Sequence, residues 1–159
     1  MRIALSMAFL FIASPLAGQR RAPAGPRPCS ASDSSYFRDT GLADREGWYG
    51  KHLRAMQEPA LCAKPGVEVY RFLWLRTFHN PIAVRIQRLD DHYRLIGKQL
   101  SGAGGYEPGK LVRDTTIELS AEQVAQVKDL IDQSGYWSMG ADSSFGEDGS
   151  QWILVAVDP

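Results

Sequence analysis

From Val67 to Phe78 the chain carries apolar side chains at eight of twelve positions, on both sides of an extended strand. In an extended strand Val67, Val69, Leu73 and Leu75 fall on one side, and Tyr70, Phe72, Trp74 and Phe78 on the other. A segment apolar on both faces needs cover above and below. It therefore predicts a central strand inside a layered fold, with Arg71 and Arg76 near the margins. The rest of the chain has the means to supply that cover. Its 159 residues are 44% hydrophobic and 23% charged, which suits one globular domain with its own core. Eighteen basic residues balance eighteen acidic ones, so the broad positive field of a nucleic-acid binder is absent from the expectation.

Other elements follow from local pattern. Ile82 to Leu89 alternates as a half-buried strand. Asp90-Asp91 then predicts a two-residue turn that sets Leu89 opposite His92, Arg88 opposite Tyr93 and Gln87 opposite Arg94, in a hairpin over 82–100. Leu111 to Leu119 reads as an edge-type strand. Ser120-Ala-Glu-Gln123 is a capping box, and Val124, Val127, Leu130 and Ile131 form the apolar stripe of a helix ending at Gly135. An earlier helix is expected over Asp44 to Glu58, with Trp48, His52 and Met56 at four-residue spacing and Pro59 as a stop. Trp152 to Val157 again looks like a central strand. The four tryptophans are expected to be core material. The fold class expected is α+β: an antiparallel sheet of four to five strands packed against one main amphipathic helix, the Ser120 helix, with a second N-terminal helix.

The first eighteen residues suggest an address. Arg2 precedes an apolar run from Ile3 to Ala13, and Pro15-Leu-Ala-Gly18 offers a helix break and small residues, the pattern of a secretory signal cleaved after Ala17 or Gly18. The run is too short for a membrane span, and Gln19 stands where a lipobox needs cysteine, so no stable membrane anchor is expected. Residues 19–40 read as a flexible leader rich in Pro, Ala and Ser, and 41–159 as a single α+β domain. Cys29 and Cys62 are the only cysteines. In an exported chain they are expected to pair, which would contribute roughly 3 to 4 kcal/mol by restricting the unfolded state.

Motifs that carry chemistry fail in detail. Gly104-Gly-Tyr-Glu-Pro-Gly-Lys110 has phosphate-loop spacing, but Leu111 stands where a metal-binding hydroxyl is required, and a strand follows instead of a helix. Ser101 to Lys110 is better explained as a flexible connection. Asp90-Asp91-His92 has no accompanying nucleophile, and Asp142 to Gly149 lacks calcium-loop register, which leaves a turn. No cofactor, metal, nucleotide or nucleic acid is implied. What remains is a candidate basic face on the hairpin, formed by Arg85, His92, Arg94 and Lys98.

The block from Pro81 to Trp152, especially Lys98-Gln-Leu-Ser-Gly-Ala-Gly-Gly105, Tyr106-Glu-Pro-Gly-Lys-Leu111 and Gly146-Glu-Asp-Gly-Ser-Gln-Trp152, resembles a family of exported bacterial proteins of unknown function. The resemblance implies a bacterial origin and export, and no active site. It also implies a chain that continues past Pro159, so the sequence is expected to be incomplete at that end. The functional expectation is a non-enzymatic binding or structural module of the envelope. Its partner would be an envelope protein or an anionic polymer, bound through the hairpin face and the glycine loop. The alternative is a small envelope hydrolase using His92 or His79.

Overall fold

The computed structural model describes residues 35–37, 45–61, 66–140 and 149–157. The strand with two apolar sides becomes β1 (Val69–Arg76) and has a neighbour on each edge. On one side lie β2 (Ile82–Leu89), β3 (His92–Leu100) and β4 (Leu111–Leu119), and on the other β5 (Ser150–Val157), giving the antiparallel order β4-β3-β2-β1-β5. Helix α1 (Glu46–Ala55) precedes the sheet, and α2 (Ala121–Gln133) lies between β4 and β5 in sequence. A short 3-10 turn over Tyr136–Ser138 follows α2.

The β2–β3 register agrees with the turn chemistry: Leu89 faces His92, Arg88 faces Tyr93 and Gln87 faces Arg94. Asp90 takes a φ of 54°, a left-handed conformation that a short polar side chain tolerates. The capping box also forms. Ser120 Oγ accepts from the Gln123 N–H at 3.2 Å, while Gln123 Oε1 accepts from the Ser120 N–H at 2.9 Å.

The expected dominance of the Ser120 helix is overturned. Apolar packing is divided between two clusters on opposite faces of the five-stranded sheet. On the first face Leu73, Leu75, Ala83, Leu100, Ile153 and Val155 pack with Tyr49 and Leu53 of α1, with Met56 just beyond it, and with Phe37. On the second face the cluster's buried members are Tyr70, Ile86 and Ile131 of α2, bordered by half-buried Tyr93, Leu119, Val127 and Tyr136. Two of the four stripe residues of α2, Val124 and Ile131, are buried, while Leu130 is exposed. The cover that the sequence assigns to one helix is thus supplied on the first face by α1 and Phe37.

Three further expectations are corrected. Arg71 is no margin residue but lies 1% exposed within β1. β5, apolar on both sides, is an edge strand. The connection Ser101 to Lys110 is ordered by a ladder: the N–H groups of Ser101, Gly102 and Ala103 donate to Lys110, Pro108 and Glu107 carbonyls at 2.9 to 3.0 Å. Its tip folds back onto the β1–β2 turn, where the Gly104 N–H donates to His79 O and the Gly105 N–H to Thr77 O. A Cβ on Gly104 would sit 2.7 Å from the backbone of Arg76, so this close approach requires glycine. The signal segment, the leader up to 34, Cys29, Cys62 and residues 141–148 lie outside the described residues. No helix among the described residues is long and apolar enough to cross a membrane.

Candidate functional site

The register places Arg85, His92, Arg94 and Lys98 on one face of the β2–β3 hairpin, as expected. It does not leave them open. Helix α1 ends in a Schellman reversal: the Gln57 N–H donates to Arg54 O, the Glu58 N–H to Leu53 O, and Gln57 takes a φ of 55°. That reversal turns the Glu58 carboxylate onto the sheet. Arg85 Nε donates to Glu58 Oε2 at 2.8 Å, and Lys98 Nζ stands 3.4 Å from Glu58 Oε1. Lys98 also donates to the carbonyls of Met56 at 2.9 Å and Gln57 at 3.2 Å, the negative end of α1. Arg85 and Lys98 are each 8% exposed.

Arg71 completes this buried group. Its Nη1 donates to Pro59 O at 2.8 Å, and its guanidinium lies 5.6 Å from the Tyr36 ring and 6.0 Å from the Phe37 ring. Burial brings its pKa down to about 10, so it stays charged at neutral pH. The remaining two candidates lie near the turn and meet acids there. Arg94 Nε donates to Glu118 Oε1 at 2.7 Å, and His92 Nε2 is 3.9 Å from Glu118 Oε2. His92 Nδ1 is 3.1 Å from Asp91 Oδ1, a contact between neighbours in the turn. The hydrogen bond from His92 holds the exposed Asp91 carboxyl below its ordinary range. The hairpin face is therefore a set of ion pairs and a buried latch rather than a free basic surface.

The two candidate histidines do not share a site. His79 lies in the β1–β2 turn and His92 opens β3, at opposite ends of the eight-residue β2 and so about 25 Å apart along the strand. Among the described residues no group of three or more His, Cys, Asp or Glu could hold a metal ion.

The unexpected surface lies along β5. In its pairing with β1, one set of alternate residues faces inward, and Ser150, Trp152, Leu154 and Ala156 direct their N–H and C=O groups outward. The hydroxyl of Tyr136 occupies part of that row, accepting from the Ala156 N–H at 3.2 Å and lying 3.5 Å from Leu154 O. The stretch around Trp152 has no such cover among the described residues. From Ser150 to Val157 there is no charge and no proline, the usual protections of an edge. The opposite edge is protected by charge and by a register break: β4 carries Arg113, Asp114 and Glu118, and its pairing with β3 shifts between Gln99 and Leu100.

Tryptophan surrounds the open edge. Trp152 is 72% exposed, with its indole N–H donating to Ser150 Oγ at 2.9 Å and its ring edge-on to Phe72. Trp48 donates to Gln151 Oε1 at 3.2 Å from the other face, and Trp137 stacks edge-on against Tyr136 at 5.0 Å. Trp48 and Trp137 are also exposed, and Trp74 is half-buried, which overturns the reading of all four as core. The hydrophobicity of these rings was visible in the sequence, but which strand would be last in the sheet was not. Glu58 and Arg71 were also missed. The available signal was a lone arginine between Val69 and Leu73 on a face that alternation requires to be buried.

No protein-family model, curated protein or solved structure matches the chain.

Proposed function

We propose that this chain is a non-enzymatic binding module, exported to the bacterial envelope, that recognises an extended polypeptide by adding it as a strand to β5. The uncharged edge strand ringed by Trp48, Trp137 and Trp152 is the observation that carries this reading. Main-chain groups along such an edge supply affinity to any extended segment, and aromatic side chains beside it supply anchors. Export rests on the Arg2 to Gly18 pattern, and the bacterial origin on the resemblance of the Pro81–Trp152 block. A protein partner is favoured over an anionic polymer because the hairpin cations already face Glu58, Glu118 and helix-terminal carbonyls.

Selection from a random dodecapeptide library against the immobilised protein tests this. Binders should be poor in charge, rich in β-branched residues and no longer captured by Trp152→Lys. Binders that instead depend on Arg94, or a library that yields none, would remove the reading.

A further inference from the structure

We infer that the strand added to β5 is β5 of a second copy of this chain, in a two-fold pairing centred on Trp152; this rests on the strand-addition reading above. An antiparallel pair of identical strands is self-complementary, so one open edge suffices for a closed dimer. The register follows from Tyr136. Its hydroxyl takes the Ala156 N–H, which closes the far end of the strand, whereas Leu154 O keeps a second lone pair and, among the described residues, nothing takes either backbone group of Trp152. Centring the axis on Trp152 lets the two Trp152 residues exchange both hydrogen bonds. Ser150 then exchanges its pair with Leu154 of the second copy, and Tyr136 need not move.

Charge and shape agree with that arrangement. Ser150 to Leu154 sets no charge against its own image, and a near-neutral chain gives two copies little long-range repulsion. Each exposed Trp152 side chain gains a second indole across the axis. Because β4 carries charges and a register break, the joined sheet of ten strands presents protected edges at both ends and stops at two copies. The paired segment is short, so the dimer belongs to the weak class, with a Kd of order micromolar.

Sedimentation equilibrium of the purified wild-type protein across the micromolar range should give a monomer–dimer curve, with no larger species. Trp152→Lys sets two ammonium groups opposite each other on an exposed position and should raise the dimer Kd by about 30-fold or more with an unchanged far-UV spectrum. A folded Trp152→Lys protein that dimerises like wild type overturns the inference, as does a series of growing oligomers. A wild-type protein that stays monomeric at millimolar concentration also overturns it. If that monomer still binds strand-forming library peptides, only the choice of partner fails; if it binds none, strand addition fails as well.

Discussion

The face of the sheet that carries α1 hides Glu58, Arg71, Arg85 and Lys98 among its apolar residues, whereas the face that carries α2 hides one charged side chain, Glu68, held by Lys128, and leaves Trp152 and Ile117 in water. Polarity is thus inverted relative to the simple rule of charge outside and aromatic rings inside. The difference lies in what the chain places over each face. The Schellman turn after α1 delivers a carboxylate and three carbonyls, from Met56, Gln57 and Pro59, onto three buried cations. Buried charge is tolerable when it is paired and hydrogen-bonded, and this turn supplies both partners at once. The second face receives only the narrow stripe of α2 at one end, and its far half keeps aromatic surface available for contact.

The sharpest way to break this contrast is to substitute one residue on each face. Glu58→Ala removes the acid shared by Arg85 and Lys98 and leaves two cations buried without it. The expected loss is about 3 to 5 kcal/mol of unfolding free energy, read by urea titration. Trp152→Ser, at a side chain already in water, should change stability by less than about 0.5 kcal/mol. Equal losses at the two positions would mean that the latch does not hold the first face.

Much of this architecture was legible in local pattern, and the remainder depended on contacts far apart in sequence. Alternation and turn chemistry located the β2–β3 hairpin to the residue, and Ser120 with Gln123 marked the start of α2, because each signal is complete within a few positions. The share of the core given to α2 was overestimated. Its stripe is amphipathic whether or not a sheet lies beneath all of it, and Leu130 faces solvent. β5 looked central because composition records hydrophobicity, whereas neighbours are set by topology. The basic candidates shared a face as expected, yet Arg85 and Lys98 became buried through Glu58, which is 27 and 40 positions away in sequence and had been noticed only as the residue before a helix-stopping proline.

His52 gives the α1 face a second, pH-dependent signature. It is fully buried, its Nδ1 donates to Trp48 O at 3.1 Å, and burial holds its pKa below the ordinary value, with Lys51 pushing the same way against Glu107 and the Trp48 and Ala103 backbone. The unfolded chain therefore takes up a proton more readily than the folded one. Stability from this group is fully present above about pH 6.5 and falls as pH drops toward the lower folded value, by at most about 1.4 kcal/mol per pH unit. Urea midpoints measured between pH 7.5 and pH 5 should show that slope in wild type and a flatter one in His52→Leu. An unchanged slope in the variant would assign the acid sensitivity to another group.

The smallest expected effect tests how the latch is set. Gln57 holds a φ of 55° at the position where helix reversals favour glycine, because a Cβ crowds the neighbouring carbonyl there. Its carbonyl, not its side chain, accepts from Lys98, so Gln57→Gly keeps the hydrogen bond and relieves the crowding. Glycine also loosens the unfolded chain, which offsets part of the relief. The net result should be a gain of about 0.5 kcal/mol in urea unfolding. In the Glu58→Ala background the turn no longer has a carboxylate to aim, so the same substitution should keep its strain relief without restoring the lost ion pairs. A double-mutant cycle should therefore give additive effects within about 0.5 kcal/mol. A larger coupling would mean that the left-handed residue and the buried carboxylate act as one unit, and that the α1 face is held by the geometry of its turn as much as by its charges.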